Sequence, residues 1–429
     1  MNAIFTIAAG NYLAQALTLG DSVKKHNPDT AFFIFIVDEI PTLRPVDDKF
    51  TIVVAKELNM PTFNEMTFQY DVIELCTAIK PFCFDYLFST KLYKNLVYLD
   101  PDVSVYAPLD NVFSLLETNF ILLTPHIVRP EITYSGMADE GLLLFVGTYN
   151  LGFVALNNSD RASFLIEWWK ERLKDKCYAD KFDGLHVDQK WMEFIPSFYE
   201  DGYHIIRDMG HNVAFWNLHE RQIVDFNGAY AVQDRIDPEA HVPLIFFHFA
   251  AFDPYNPEVI HKNNKQFARS SFPELALIMK EYAARLLDNN FSMYSRSPYG
   301  YACFFNGNPI LKFQRRLYRR FKEEGFHFEN PFVVGPGSFY QLLKASCLLS
   351  KSATASVDKL NEMNFPRMNR YLSYINLLMR AVKSIIGFER YALLSKFVLR
   401  YFRPENQVFL VKGLAAEIGF KNENRKYTK

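Results

Sequence analysis

The chain has 429 residues, of which 49% are hydrophobic and 16% aromatic; this excludes a disordered or low-complexity protein and allows more than one folded body. The formal charge of −1 conceals an asymmetry: residues 1–270 carry 22 basic and 36 acidic side chains, and residues 271–429 carry 25 and 12. An acidic part joined to a basic part argues against one uniform domain, and with no recognition motif beside the basic charge it also argues against a nucleic-acid binder.

In chain order, residues 3–8 read as a buried strand, Ala9-Gly10-Asn11-Tyr12 as a turn, and 13–26 as a helix stopped by Asn27-Pro28-Asp29. Residues 31–37 form a second apolar run ending at Asp38-Glu39, and 50–54 a third. A helix over 74–87, despite Pro81, leads into a strand at 96–99. Near-continuous apolar strands alternating with helices predict an α/β fold whose mainly parallel sheet is covered on both faces. Further strands are expected at 120–124, 153–157 and 243–249, with a helix over 162–174. From about residue 271 the pattern turns helical, over 274–288, 309–324, 339–349 and 368–402, the last broken near Gly387. Two domains are therefore expected, 1–265 and 271–429, with the boundary inside 262–273. Five scattered cysteines without a CxxC pair fit a reducing compartment. The N-terminus lacks a basic signal-peptide region, and no apolar run reaches the roughly 18 residues of a spanning helix. The expectation is a cytoplasmic protein, at most peripheral on the inner face of the plasma membrane.

The chemistry starts at Tyr98-Leu99-Asp100-Pro101-Asp102. Two carboxylates at i, i+2 after a buried strand share one face at the strand's C-terminal mouth, where open α/β sheets bind ligands. With no adjacent cation in sequence, a hard divalent ion between them relieves their repulsion, and Mg²⁺ or Mn²⁺ there typically also binds substrate phosphates. The alternative is an ordinary Asp-Pro turn. Asn150 and Gly152, in Tyr149-Asn150-Leu151-Gly152-Phe153, offer a side chain that reads hydroxyls and a backbone that lets a ligand approach closely, or else a plain turn. Asp188 and Gln189 stand where a helix begins, so Asp188 either caps it or faces a sugar. His248, at a strand end, is either a core histidine or a third metal ligand. Asn11 and Tyr12 sit at a turn before a helix, where an aromatic can stack on a base and the helix N-terminus favours anions.

The series Asn11-Tyr12, Tyr98-Leu99-Asp100-x-Asp102, Asn150-x-Gly152-Phe153, Asp188-Gln189 and His248, with spacings of 48, 38 and 60 residues from Asp102 onward, resembles the GT-A fold glycosyltransferases of family 8. That family includes glycogenin-like enzymes and bacterial lipopolysaccharide galactosyltransferases. The resemblance covers about residues 1–255. It implies a nucleotide-diphospho-sugar transferase fold followed by a helical C-terminal region, with Mn²⁺ or Mg²⁺ held by Asp100, Asp102 and His248. It further implies Asp100 near the ribose, Asn11 and Tyr12 against uridine, and Asn150 and Gly152 bordering the donor sugar. Asp188 and Gln189 would lie beside the anomeric carbon, with transfer by retention from a UDP-hexose to a glycan or lipid-linked acceptor in surface polysaccharide assembly.

The chain departs from the family pattern in two places. Ala251 replaces a glycine after His248 and no lysine follows in register, so Lys80, Lys262 or Lys265 must supply the diphosphate's cation. Gly10 also stands where an acid is expected before Asn11. The stretch Asn212–Arg221 is expected to shape the acceptor side. In the basic part, Lys312, Arg315, Arg316, Arg319, Arg320 and Lys322 form one helical cluster and Arg380, Lys383, Arg390, Lys396, Arg400 and Arg403 a second. Both are interleaved with aromatics and aliphatics, as suits an anionic membrane surface or a solvated face on the acidic part. Other readings are a sugar nucleotidyltransferase, which would want a Gly-rich basic loop after the first strand, and a non-catalytic nucleotide- or sugar-binding scaffold.

Overall fold

The computed structural model describes residues 1–38, 49–91, 93–131, 139–262, 271–352, 358 and 364–412. They fall into two compact units, Met1–Pro61 with Val72–Tyr299, and Thr62–Asp71 with Gly300–Lys429. This division lies beyond the boundary expected at 262–273: the helix Ala276–Asp288 belongs to the first unit, where Tyr282 stacks on Phe249 at 3.7 Å. An amphipathic helix goes with whatever buries its apolar face, a property its own spacing does not record.

The first unit is built on a seven-stranded sheet. Its strands are β1 (Asn2–Ala8), β2 (Ala31–Ile36), β3 (Thr51–Val54), β4 (Asn95–Leu99), β6 (Ile121–Pro125), β7 (Tyr149–Asn157) and β10 (Tyr203–Ile205). Short strands complete the numbering: β5 (Val103–Val105), β8 (Ala179–Asp180), β9 (Leu185–His186), β11 (Arg221–Phe226), β12 (Ala229–Asp234), β13 (His241–Pro243) and β14 (Phe246–His248). The sheet order is β10-β6-β7-β4-β1-β2-β3. Pairing is parallel throughout except at β7, which runs antiparallel to both β4 and β6. Strand direction is invisible in an apolar run, so the mainly parallel expectation holds with this one reversal.

The helix Leu13–His26 covers one face, burying Leu13, Leu17 and Val23 against β1, β2 and β4. The helix expected at 74–87 is two helices, Val72–Ala78 and Lys80–Lys91. Pro81 falls in the first turn of the second, where its missing N–H costs nothing. The single strand expected at 243–249 is also two, because the chain leaves its pairing with β12 and crosses to pair with β5.

The second unit is helical, with a core that joins Phe68 of the short helix Phe63–Gln69 to Phe304, Leu317, Tyr318, Phe332 and Phe339. Here the structure corrects the first basic cluster: Arg315, Arg316, Arg319 and Arg320, on the helix Lys312–Glu323, are each at most 6% exposed. Arg315 donates to the carbonyls of Thr67, Phe68, Tyr70 and Tyr301 at 2.6–3.1 Å. Arg316 and Arg319 approach Glu405 at 3.7 and 3.5 Å, and Arg320 pairs with Glu324 at 2.6 Å. These four arginines are internal scaffolding and form neither a membrane nor a solvated face, while Lys312 of the same cluster stays exposed. Replacing Arg315 removes the donor from four carbonyls, three of them in buried contacts. Arg315→Met is expected to lower the unfolding free energy by about 3 kcal/mol, measured by denaturant titration.

Candidate active site

Strand register assembles the residues that the sequence singled out. β1 and β4 pair in parallel with Phe5 opposite Tyr98, so the turn after β1 and the Asp100–Asp102 turn emerge side by side. β7 pairs antiparallel with β4, Phe153 opposite Leu99, which brings Gly152 beside Asp100; the Asp100 N–H donates to Gly152 O at 2.9 Å. β14 pairs with β5 so that His248 faces Val103, one residue beyond Asp102.

The result is a three-residue cluster. Asp100, Asp102 and His248 each offer a ligand atom, and these atoms lie within 4.8 Å of one another. His248 Nε2 is 3.0 Å from Asp102 Oδ1 and 3.7 Å from Asp100 Oδ2. Burial disfavours the imidazolium, but the two carboxylates outweigh it and hold the His248 pKa above its ordinary value. Tyr98 donates its O–H to Asp100 Oδ1 at 2.5 Å, and burial with the adjacent carboxylate keeps that phenol protonated.

Gly152 makes room for the histidine. A Cβ at this position would lie 2.5 Å from His248 Cε1 and 2.7 Å from Nδ1, closer than real carbons come. Trp216 packs edge-on against the same imidazole at 5.1 Å between centroids. Ala251, where the sequence resemblance leads to an expected glycine, adopts φ 54°, a left-handed conformation natural to glycine and strained for alanine.

Asp188 and Gln189 sit at the start of a 3₁₀ segment, Gln189–Phe194, in which the Asp188 side chain makes no capping hydrogen bond. Instead Asp188 is buried in an ion pair with Lys80, Nζ to Oδ2 2.5 Å. Burial pushes the Asp188 carboxyl up and Lys80 opposes that shift. Val187, just before it, takes φ 41°, a strained setting for a β-branched residue and one of the marks of functional positions. Lys80 also donates to Leu151 O at 2.8 Å and lies 4.1 Å over the Tyr98 ring. The ammonium is therefore engaged inside the protein by Asp188, Leu151 O and the Tyr98 ring. Lys262 is exposed, its N–H bonded to Ala251 O at 3.2 Å, and Lys265 lies outside the described residues, as does Glu39. Gln189 is anchored at both ends: Nε2 donates to Val146 O at 2.9 Å and Oε1 accepts from Leu151 N–H at 3.4 Å.

Asn150 is tied into a buried polar network. Its Oδ1 accepts from Gly152 N–H and Asn212 Nδ2, both at 3.1 Å, and its Nδ2 bonds His126 Nε2 at 3.2 Å. His126 Nδ1 faces Thr148 O, so Nδ1 carries the proton. Asn217 donates to His126 O and Asn212 O, while Glu220 accepts from the Val128 and Arg129 amides and pairs with buried Arg221. The 212–221 stretch thus turns its Asn212, Asn217, Glu220 and Arg221 side chains inward rather than offering them to an acceptor.

A cleft of about 320 Å³ opens beside the cluster, lined among others by Asn11, Tyr12, Cys76, Tyr98, Asp100 and Asp102. Asn11 Oδ1 is buried there with no hydrogen-bond partner among the described residues. Burial and the nearby Asp102 push the Tyr12 hydroxyl up to about 12, so it remains a neutral aromatic at the cleft wall. Behind this turn, buried Asp38 at the end of β2 accepts from Gly10 N–H on its Oδ1 at 2.9 Å. Asp38, His126 and Trp216 were not singled out from the sequence. Only Asp38, at the end of a strand neighbouring β1, carried a usable signal.

No family model matches the chain. The uncharacterized protein YfnF of Bacillus subtilis is 26% identical over 263 residues, covering 58% of this chain and 82% of that protein. Among solved structures, the galactosyltransferase LgtC in complex with donor and acceptor sugar analogs superposes with a TM-score of 0.41 at 16% identity, covering 66% of this chain and 95% of that one. The glycosyltransferase GlyE of Streptococcus pneumoniae superposes with a TM-score of 0.37 at 16% identity, covering 70% and 66%.

Two outcomes test the site's architecture. Burial lowers the His126 pKa from 6.5 to about 4, so between these values the unfolded chain binds protons more than the native one, and stability falls as pH falls. Stability is expected to drop by about 2 kcal/mol more between pH 7 and pH 5 in the native chain than in His126→Gln, read from denaturant midpoints. Gly152→Ala, which forces the imidazole aside, is expected to cost about 1–3 kcal/mol in stability, read from denaturant midpoints.

Proposed function

We propose that the first unit is a metal-dependent glycosyltransferase of the GT-A type. It takes a hexose from a nucleoside-diphosphate sugar, with UDP as the nucleotide, and transfers it with retention to a glycan or lipid-linked acceptor in bacterial surface polysaccharide assembly. The observation that carries this reading is the convergence of Asp100, Asp102 and His248 at a sheet mouth, beside a cleft walled by Asn11 and Tyr12.

Two carboxylates and one imidazole, close enough to share an ion, make a donor set that fits Mn²⁺, or Mg²⁺ with more water. Asp100, Asp102 and His248 would hold it, and when bound it neutralises the charge that grows on the departing diphosphate. The chain's own groups account for the rest. Tyr98 fixes the rotamer of Asp100. Tyr12 offers a flat neutral face to the base, and the unpartnered Asn11 Oδ1 offers an acceptor for a uracil N–H. Lys80 lies against Asp188 and opposes the upward pull of burial on its carboxyl, and Asp188 is the group assigned to the anomeric centre as it becomes positive. Gln189 is held rigid beside it. Asn150 acts by fixing Gly152, and the diphosphate's second cation falls to Lys262 or Lys265 in the segment after His248.

UDP in the presence of Mn²⁺ is expected to raise the melting temperature by roughly 5 °C at saturating ligand. Asp102→Ala is expected to abolish both that shift and UDP-sugar hydrolysis. If no UDP-sugar shifts the melt and Asp102→Ala changes nothing, the reading is wrong.

A further inference from the structure

The two basic clusters of the second unit, alike in sequence, have opposite fates. The arginines of Lys312–Glu323 are neutralised inside the core. The helices Met368–Ile386 and Phe388–Tyr401, by contrast, bury no residue at all. Large apolar side chains stand open on them: Leu377 is 66% exposed, Ile385 82%, Phe388 74%, Leu393 66% and Leu399 62%. Among these lie six exposed cations, Arg370, Arg380, Lys383, Arg390, Lys396 and Arg400, against a single acid, Glu389. The segment that follows is the opposite: Arg403, Glu405, Val408 and Val411 are buried and tie the pair to the unit's core.

We propose that this helix pair is a docking element for an anionic lipid bilayer surface, lying in the headgroup region. The chemistry selects that occupant. An apolar surface of this size left in water is costly, so it marks an interaction site. Its rim of cations calls for a partner that is apolar within and anionic outside, which is the profile of an acidic bilayer interface. Arginine and lysine stems lie along the acyl boundary while their heads reach the phosphates. A second copy of the chain would bring the same cationic face against itself, and like charges across an interface oppose it. Crossing the bilayer is not the role, since no helix among the described residues is long and apolar enough. Gly387, at φ 81°, joins the two helices with a backbone turn that other residues rarely adopt.

The inference rests on these helices and is independent of the nucleotide site. The full chain is mixed with vesicles of phosphatidylcholine alone, or with about a third phosphatidylglycerol, and sedimented. Binding to the anionic vesicles is expected to be at least about tenfold stronger and to weaken steadily with added salt. Combined Arg380→Glu, Lys383→Glu and Lys396→Glu is expected to lower it on the order of a hundredfold. Leu377→Asp with Leu393→Asp is expected to lower it independently. These side chains are exposed, so the variants should melt as the parent does and bind UDP with Mn²⁺ as the parent does. The salt titration of the unaltered chain tests the idea without any variant. Absent binding, equal binding to neutral vesicles, or binding untouched by both sets of substitutions overturns the proposal. So does lipid-free self-association that the same substitutions abolish, which would make the occupant a second copy.

Discussion

The site depends on how closely β14 can approach the mouth of β4, and that distance is set by a missing side chain. His248 reaches Asp102 because its ring occupies the volume that a Cβ on residue 152 would take. The same glycine receives the Asp100 N–H on its carbonyl, so one residue fixes both the backbone of the carboxylate turn and the place of the imidazole. Tyr98, Trp216 and the Asn150–Asn212–His126 network hold this arrangement from behind with directed bonds and ring packing. Positional precision of this kind is what a metal or transition-state site needs, and it is supplied by groups outside the ligand set.

Charge is handled in the two units by one physical rule, that a buried ion needs a partner. In the first, Lys80 and Asp188 form a nearly dry pair beside the cleft, and Glu220 with Arg221 braces the 128–129 backbone. In the second, Arg315 is satisfied by main-chain carbonyls, and Glu405 gathers Arg316, Arg319 and Arg403. The cations of the helix pair 368–401 escape this rule because they are exposed, and that is why they are available to an outside partner.

Much of the fold was legible. Strands β1, β2 and β4 and the helix Leu13–His26 follow from apolar runs and helical spacing within a residue or so, and the break at Gly387 followed from its glycine. The reversal at β7, the split of 243–249 between two sheets and the division of Glu74–Leu87 ahead of Pro81 were not legible. Each depends on which neighbour a segment pairs or packs with, and local pattern carries no record of that. At the candidate site the acids, the histidine and the glycine were singled out from sequence. The engagement of Lys80 by Asp188 was not, because 108 residues separate them and only burial makes the pairing necessary.

The sequence by itself determined which residues have the chemistry: two carboxylates after an apolar strand, a strand-end histidine, a glycine where backbone must come close, and two cationic amphipathic helical segments. Those are properties of residue type and short spacing, and they survive in one dimension. Tertiary structure alone decided their use. It brought His248 to Asp102 by strand register, turned Lys80 and the 212–221 stretch inward, and buried one set of arginines while leaving the other, Arg403 apart, bare. The reason is that burial and partner choice arise from contacts between segments far apart in the chain, and those contacts set the electrostatic cost of every charged group.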